Sequence, residues 1–174
     1  MTLEDAHRQL LERWRTKTNL VGPGPIGAHF EDCKAALANL RPAGRWADLG
    51  SGAGFPGLVL AHLHPDVAVD LVDSRQRRCA FLEEVVAHGP PRPAPLRVLC
   101  SRIEALPAGG YDGVTARALA PPPEALELAA RLLVPGGTAV LLIAADSAPE
   151  HPDFEPIDWH PYAASRATWV GRRR

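Results

Sequence analysis

Apolar positions recur at spacings of three and four through residues 3–16, where Leu3, His7, Leu10, Leu11 and Trp14 share one side. That period predicts an amphipathic helix. Asn19-Leu20-Val21 runs into Gly22-Pro23-Gly24-Pro25, a loop with strong breakers. A second helix is expected from Ile26 or Ala28 to Leu40, with Phe30, Cys33, Leu37 and Leu40 inward, and Pro42-Ala43-Gly44 closes this helical preface. From Arg45 the pattern changes to short apolar runs alternating with helical stretches. Strands are expected at Trp46–Leu49, Val67–Val72, Leu96–Cys100, Gly113–Ala116 and Thr138–Ala144. The helices between them are Gly57–His64, Arg75 to about His88 (with Cys79, Leu82, Val85 and Val86 apolar) and Pro123–Leu133 (with Leu126, Leu128 and Leu132), and Ile103–Leu106 reads as a single turn. Such alternation implies right-handed crossovers and a mostly parallel sheet flanked by helices. Residues 145–155 read as a polar loop, and Ile157–Trp159 with Ala167–Val170 as a short terminal hairpin. No internal repeat is evident.

The stretch from Asp48 to Gly57 carries the chemistry. It reads Asp-Leu-Gly-Ser-Gly-Ala-Gly-Phe-Pro-Gly and lies between the first strand and the first crossover helix. Glycines there leave the backbone free to take positive φ and bare of side chains, so a ligand can touch the main chain. The following helix aims its N–H groups at the same place. This is the nucleotide-binding turn of a Rossmann-like sheet.

Composition narrows the class rather than the ligand. The 174 residues are 46% hydrophobic and 22% charged, and 19 basic against 20 acidic residues leave a formal charge of -1. An RNA partner would therefore need a local basic face, not a global field. Arg8, Arg13, Arg15, Lys17, Arg75, Arg77, Arg78 and Arg172-Arg173-Arg174 are candidates for one, or are ordinary solvated charges. Cys33, Cys79 and Cys100 are widely spaced without a Cys-x-x-Cys pair, and the seven histidines form no His-Glu-x-x-His. No disulfide framework, zinc site or other metal is expected, and a reducing cytoplasm fits. No run reaches the about 18 apolar residues of a membrane span, and Met1 is not expected to open a signal peptide.

The turn by itself admits two cofactors. Gly52-Ala53-Gly54-Phe55-Pro56-Gly57 fits Gly-x-Gly-x-x-Gly, with Asp73 about twenty residues on, where a dinucleotide fold places its ribose carboxylate. A nicotinamide-dependent oxidoreductase is therefore an alternative. Against it stand Asp48, where a methionine-type ammonium would be held, and the expectation that no second domain follows the fifth strand. Acid, glycine turn, acid-ended second strand and Pro135-Gly136-Gly137 together resemble a class I S-adenosylmethionine (SAM) methyltransferase, α/β and Rossmann-like, here with a short N-terminal helical extension. One domain is expected over 1–174: extension 1–44, SAM-binding core 45–144, loop and C-terminal strands 145–174. Asp73 would accept from the ribose hydroxyls, Gly50, Gly52 and Gly54 would let ribose and tail approach, Ile103 would cover the adenine face, and Glu104 would take its amine. Asp70 is expected to face a helix.

Asp48 through Gly57, then Leu71-Val72-Asp73-Ser74 with Arg77-Arg78 and Phe81-Leu82, resemble the RsmG (GidB) methyltransferases more closely. So do Tyr111 through Ala118 and Leu132-Leu133-Val134-Pro135-Gly136-Gly137; upstream, Trp14 through Leu20 and His29-Phe30-Glu31-Asp32 are similar to that family's helical preface. The resemblance covers roughly residues 10–144. It implies methylation of guanine N7 in 16S ribosomal RNA with SAM as cofactor. Carried over, it makes Gly50, Phe55, Ile103, Glu104 and Arg117 cofactor contacts, with Arg117 the catalytic candidate. Arg117 would hold the SAM carboxylate or donate to guanine, unless it is spent on an ion pair with Asp48 or Asp112. The partner implied is 16S rRNA or the small subunit, the chain a cytoplasmic monomer away from membranes. The chain departs from the family in a shorter preface, in Cys33 where serine is usual, and in Ile143-Ala144 where Lys-Gly is usual. Those departures keep open another RNA, a small-molecule acceptor, or a degenerate SAM-binding, ribosome-associated protein without turnover.

Overall fold

Thr2 and Asp5 cap the first helix reciprocally, each side chain accepting from the other's backbone N–H, so α1 (Leu3–Arg15) starts where the apolar period starts. In this computed structural model residues 1–16, 18–22 and 24–174 are described. Lys17 and Pro23, read above as part of the basic face and of the loop, lie outside the described residues. The chain continues with α2 (Ile26–Leu37), β1 (Arg45–Leu49), α3 (Gly57–Leu63), β2 (Ala68–Asp73), α4 (Gln76–His88) and β3 (Leu96–Cys100). A single 3-10 turn (Ile103–Ala105), β4 (Tyr111–Arg117), α5 (Pro122–Leu132), β5 (Leu133–Ala144), β6 (Phe154–Ala163) and β7 (Arg166–Arg173) complete it.

The seven strands form one sheet ordered β3-β2-β1-β4-β5-β7-β6. The first five are parallel; β7 runs antiparallel between β5 and β6. The order reverses at β1, between β2 and β4, and ligands of open α/β sheets bind outside the carboxyl ends of the strands at such a switch point. One face of the sheet is covered by α1, α2, α3 and α4 through Leu10, Leu11, Phe30, Leu58, Leu60, Phe81 and Leu82. The other packs on α5 through Ala125, Leu126, Ala129 and Leu132. The helical preface is thus built into the core rather than appended to it. Among the described residues no helix is long and apolar enough to cross a membrane.

Several boundaries moved for physical reasons. Pro135-Gly136-Gly137 does not precede the fifth strand but lies inside it: β5 begins at Leu133, and its pairing with β4 shifts register between Tyr111 and Gly113. Gly136 absorbs that irregularity at φ 80°. The terminal hairpin is longer than its apolar residues suggested, because β7 is paired on both sides. Inside α5 the small residues Ala125 and Ala129 are buried, whereas Leu128 lines a cleft. Asp70 is not turned toward a helix; it accepts from Arg45, Arg97 and the Tyr111 hydroxyl at 2.6–3.2 Å.

A further expectation is overturned. Cys79 and Cys100, read as unpaired, form a disulfide with Cα atoms 5.7 Å apart, so cysteine usage no longer argues for a reducing compartment. Cys100 stands opposite Asp73 in the parallel β2–β3 register, and α4 folds back from Asp73 so that Cys79 Sγ lies 3.3 Å from the Asp73 carbonyl. A crossover closed this juxtaposition, which spacing along the chain does not show. Reduction of this bond, across a sequence separation of 21, is expected to cost about 3 kcal/mol of stability by loop-closure entropy. Urea unfolding with and without dithiothreitol measures it; coincident midpoints would deny the bond a stabilising part.

Candidate functional site

Gly50, Gly52 and Gly54 take φ of 68°, 57° and 89°, so the turn after β1 curls in a conformation that side chains disfavour. A Cβ on Gly54 would collide with Leu58 and crowd His7. Two buried polar groups hold the turn from below. Asp48 accepts from the Thr115 hydroxyl (2.8 Å) and from Gly57 N–H at the start of α3 (3.1 Å). Burial pushes its carboxyl above the usual range, while those donors and the more distant Arg117 oppose the rise. His7, from α1, reaches the Ala53 carbonyl at 2.7 Å; a ring nitrogen facing a carbonyl carries the proton and donates. Burial depresses His7 to about 4, so the imidazole is neutral at pH 7.

Above the turn, across the carboxyl ends of β2, β3 and β4, lies a cleft of about 810 Å³. Gly50, Asp73, Ile103 and Glu104 line it, together with Arg78 and Leu119. Asp73 Oδ2 accepts from Gly52 N–H and Oδ1 from Arg75 N–H, both at 2.9 Å. Each oxygen retains a second lone pair for a ligand hydroxyl. A narrower cavity of about 210 Å³ continues the cleft past Gly50, Gly52, Phe55 and Arg117. It opens in turn toward a third, of about 690 Å³, at the ends of β4 and β5, with His29, Arg117, Ala118, Leu142, Tyr162 and Arg166 in its wall. The three share residues in sequence: Gly50 and Arg78 join the first to the second, His29, Arg117 and Ala118 the second to the third.

Arg117 therefore stands at the junction. Its guanidinium carbon lies 5.2 Å from the centre of the Phe55 ring, and Nη1 is 3.6 Å from Asp32 and 3.7 Å from Cys33 Sγ. Its ion pair is with Asp32, not with Asp48 or Asp112; Asp112 instead accepts from Arg45 N–H at 2.8 Å. Ala118, next in the chain, is the one non-glycine residue at positive φ (50°) among the described residues, a strain of about 1–2 kcal/mol of the kind that gathers at functional sites. Of the residues singled out from sequence, Gly50, Gly52, Phe55, Asp73, Ile103, Glu104 and Arg117 come together around the cleft and junction. Asp48 and Gly54 lie beneath, shaping the turn.

Sequence reasoning missed His7 as a brace, Thr115 as the partner of Asp48, and the trio Asp32, Tyr162 and Arg166. A histidine at an inward position of a helix was a usable signal for the first, and the family-like stretches His29–Asp32 and Tyr111–Ala118 contained Asp32 and Thr115 without marking their roles; nothing local marks Tyr162 or Arg166. The proposed basic face is partly dissolved: Arg8 pairs with Glu4, Arg13 with Glu84 and Arg15 with Glu12, while Arg75 and Arg78 line the cleft. Among the described residues no group of three His, Cys, Asp or Glu side chains is placed to hold a metal ion.

Solved structures with this architecture include the fibrillarin/Nop5p complex, where the match has a TM-score of 0.62 at 15% identity and covers 90% of this chain and 88% of that one. Magnesium protoporphyrin IX methyltransferase from Synechocystis PCC 6803, solved with bound SAM, matches with a TM-score of 0.59 at 18% identity, over 100% and 98%. At those identities the likeness concerns fold. In sequence, the ribosomal RNA small subunit methyltransferase G of Methylobacterium sp. (strain 4-46) is 42% identical over 142 residues, 76% of this chain and 66% of that protein. The protein of the same name from Gluconobacter oxydans (strain 621H) is 41% identical over 156 residues, 87% and 78%. The chain thus spans about two thirds to three quarters of the length of these two relatives. The family model described as rRNA small subunit methyltransferase G (GidB) matches residues 4–155. With the fold, the glycine turn and these relatives in agreement, the chain belongs to the rRNA small subunit methyltransferase G family.

Proposed function

We propose that this chain is a SAM-dependent methyltransferase that methylates guanine N7 in 16S ribosomal RNA, acting as a cytoplasmic monomer on the rRNA or the small subunit. The observation that carries the reading is the continuous path from the Asp73 cleft, past Gly50 and Phe55, to the cavity beyond Arg117. A donor and an acceptor can meet there on opposite sides of one arginine. Residues 1–174 work in it as one domain, since α1 supplies His7 to the turn and α2 supplies Asp32 to the far cavity.

The residues present fit SAM. Asp73 offers two oxygens to the ribose hydroxyls. Gly50 and Gly52 present bare backbone to the ribose and amino-acid tail. Ile103 would cover the adenine, with Glu104 beside its exocyclic amine, both lining the cleft. Asp48 and Gly54 act from below by fixing the turn. SAM, when bound, supplies an electrophilic methyl: the N7 lone pair forms the new C–N bond as the C–S bond breaks with its electron pair to sulfur. No proton has to be removed from N7, so the chain needs no general base and contributes chiefly alignment. Arg117 is the catalytic candidate, reaching the carboxylate end of the donor on one side and the acceptor purine on the other.

Product analysis tests the reading. The full chain incubated with labelled SAM and 30S subunits, or with deproteinised 16S rRNA, is expected to yield N7-methylguanosine. Tight S-adenosylhomocysteine binding with no transfer to either would instead support a degenerate SAM-binding protein, and NAD binding without SAM binding an oxidoreductase. Asp73→Ala is expected to weaken S-adenosylhomocysteine by about 1–3 kcal/mol, the worth of charge-assisted bonds to the ribose. Calorimetric titration measures it, and unchanged affinity would remove Asp73 from the cofactor.

A further inference from the structure

The cavity beyond Arg117 holds a carboxylate that the methyl-transfer scheme has not yet used. Asp32 projects from the middle of α2 with its side chain only 10% exposed. Its Oδ1 lies 2.6 Å from Arg166 Nη1, whereas Oδ2 is buried and has no hydrogen-bond partner. The Arg117 guanidinium, at 3.6 Å, is an ion-pair neighbour too distant to donate. A buried carboxylate oxygen left without a donor is costly, and a ligand N–H can end that cost. Arg117 meets Oδ2 through this long pair, touches Cys33 Sγ weakly and lies over the face of Phe55, and Asp32 itself lines the cavity. The walls around it suit a flat ring: Leu142 and Ile143 are apolar, Ala118 is small, and Tyr162 offers an aromatic surface. Cationic donors come from Arg117 and Arg166.

We infer that Asp32 reads the Watson–Crick edge of the acceptor base, accepting from guanine N1–H and N2–H2 while N7, on the opposite edge, faces the methyl donor. The inference rests on the guanine-N7 reading above. Guanine alone among the RNA bases presents two adjacent donors to a carboxylate. Adenine would set its N1 lone pair against the Asp32 oxygens, an unpaired and repulsive contact of the kind that gives polar sites their selectivity. The same carboxylate assists the reaction. Because no proton leaves when N7 takes the methyl, the purine becomes cationic, and a negative group on N1–H binds that cation better than the neutral ground state. Arg117 then serves O6, not N7, whose lone pair must stay free to attack. Arg166, in register with Ala144 on the neighbouring strand, orients Asp32 through its contact with Oδ1.

The experiment compares the full chain with Asp32→Asn, which keeps the side-chain shape, in two measurements. First, both are saturated with S-adenosylhomocysteine and titrated by NMR with guanosine, inosine and adenosine 5′-monophosphates; inosine lacks only the N2 amine. The unaltered chain is expected to prefer the guanosine nucleotide over the inosine one by ~10-fold, the worth of a hydrogen bond to a charged acceptor. Asp32→Asn is expected to bring that ratio close to one while S-adenosylhomocysteine affinity stays within about twofold. Second, N7-methylguanosine formation on 16S rRNA is expected to fall ~30-fold or more, mostly in kcat. A retained guanosine preference, or an equal loss of S-adenosylhomocysteine binding, would reduce Asp32 to a structural tie between α2 and β7 and overturn the inference. If the unaltered chain forms no N7-methylguanosine yet shows the Asp32-dependent preference, the methylation reading fails and Asp32 as a base reader stands. If it forms N7-methylguanosine and Asp32→Asn does so equally well, only the present inference fails.

Discussion

Arg117→Ala is expected to lower the single-turnover rate of N7 methylation by about 10²–10³, the cost of removing one preorganised donor from a site of developing charge. The guanidinium stands where the Asp73 cleft meets the cavity at the ends of β4 and β5, packed over Phe55 and a quarter exposed. Arg117→Lys keeps the charge but loses the planar fork that can serve two acceptors at once, so it is expected to recover only a small part of the rate. The fold should tolerate both changes, because the side chain lies at the rim of the sheet and its ion pair with Asp32 is long. Rapid-quench assays with labelled SAM on 16S rRNA measure the effect. A rate within threefold of the unaltered chain would exclude Arg117 from the reacting atoms.

His7→Ala carries the largest expected effect on stability. The ring packs 4.8 Å from both Phe30 and Phe55, centre to centre, and donates to the Ala53 carbonyl. Its removal leaves a cavity and an unpaired carbonyl under the glycine turn, about 3 kcal/mol or more together. A pH signature accompanies it. Burial holds His7 at about 4 in the folded chain, against 6.5 for an unperturbed histidine, so between those values the unfolded chain binds more protons. Its contribution is complete above pH 6.5 and lost progressively as pH falls toward 4, to a total of about 3 kcal/mol. Carboxylates titrate nearby, so the informative quantity is the difference between unaltered and His7→Ala chains in urea unfolding from pH 4.5 to 8. That difference should shrink with acidity; a flat one would show that His7 titrates normally. The turn should loosen in the variant, and weaker S-adenosylhomocysteine binding would report it.

Both effects depend on positions that local pattern could and could not reveal. The carboxyl-terminal rim was largely legible beforehand. Glycines that can take positive φ and an acid ending β2 are legible from what a bare turn and a hydroxyl-bearing ligand would require over a few residues, whereas the arginine ending β4 was marked by the family resemblance. Alternating apolar runs and helical periods likewise announced the parallel sheet, because each element must bury one face. The helical preface was visible as periodicity, but its role was not. His7 reads only as an inward helical residue, and Asp32 only as part of the family-like preface, until α1 and α2 pack against the turn and the far cavity.

The departures from the family read differently once folded. Ile143-Ala144 lacks the usual lysine, yet Arg166 lies across from Ala144 in the β5–β7 register and brings a cation to the same cavity. Cys33 is buried beside Arg117, and burial pushes its thiol up to about 12, so it is a neutral packing group.

By itself, then, the chain's sequence determined its α/β alternation, the glycine turn after the first strand and the acids and arginine around it, since propensity, periodicity and backbone freedom are properties of near neighbours. Only the tertiary structure decided that β7 inserts beside β5, that Cys79 meets Cys100, that Arg117 pairs with Asp32, and that Asp32 and Arg166 share a cavity with it. Those contacts join residues 21 to 134 positions apart, and crossovers and sheet order, not local preference, bring such residues together.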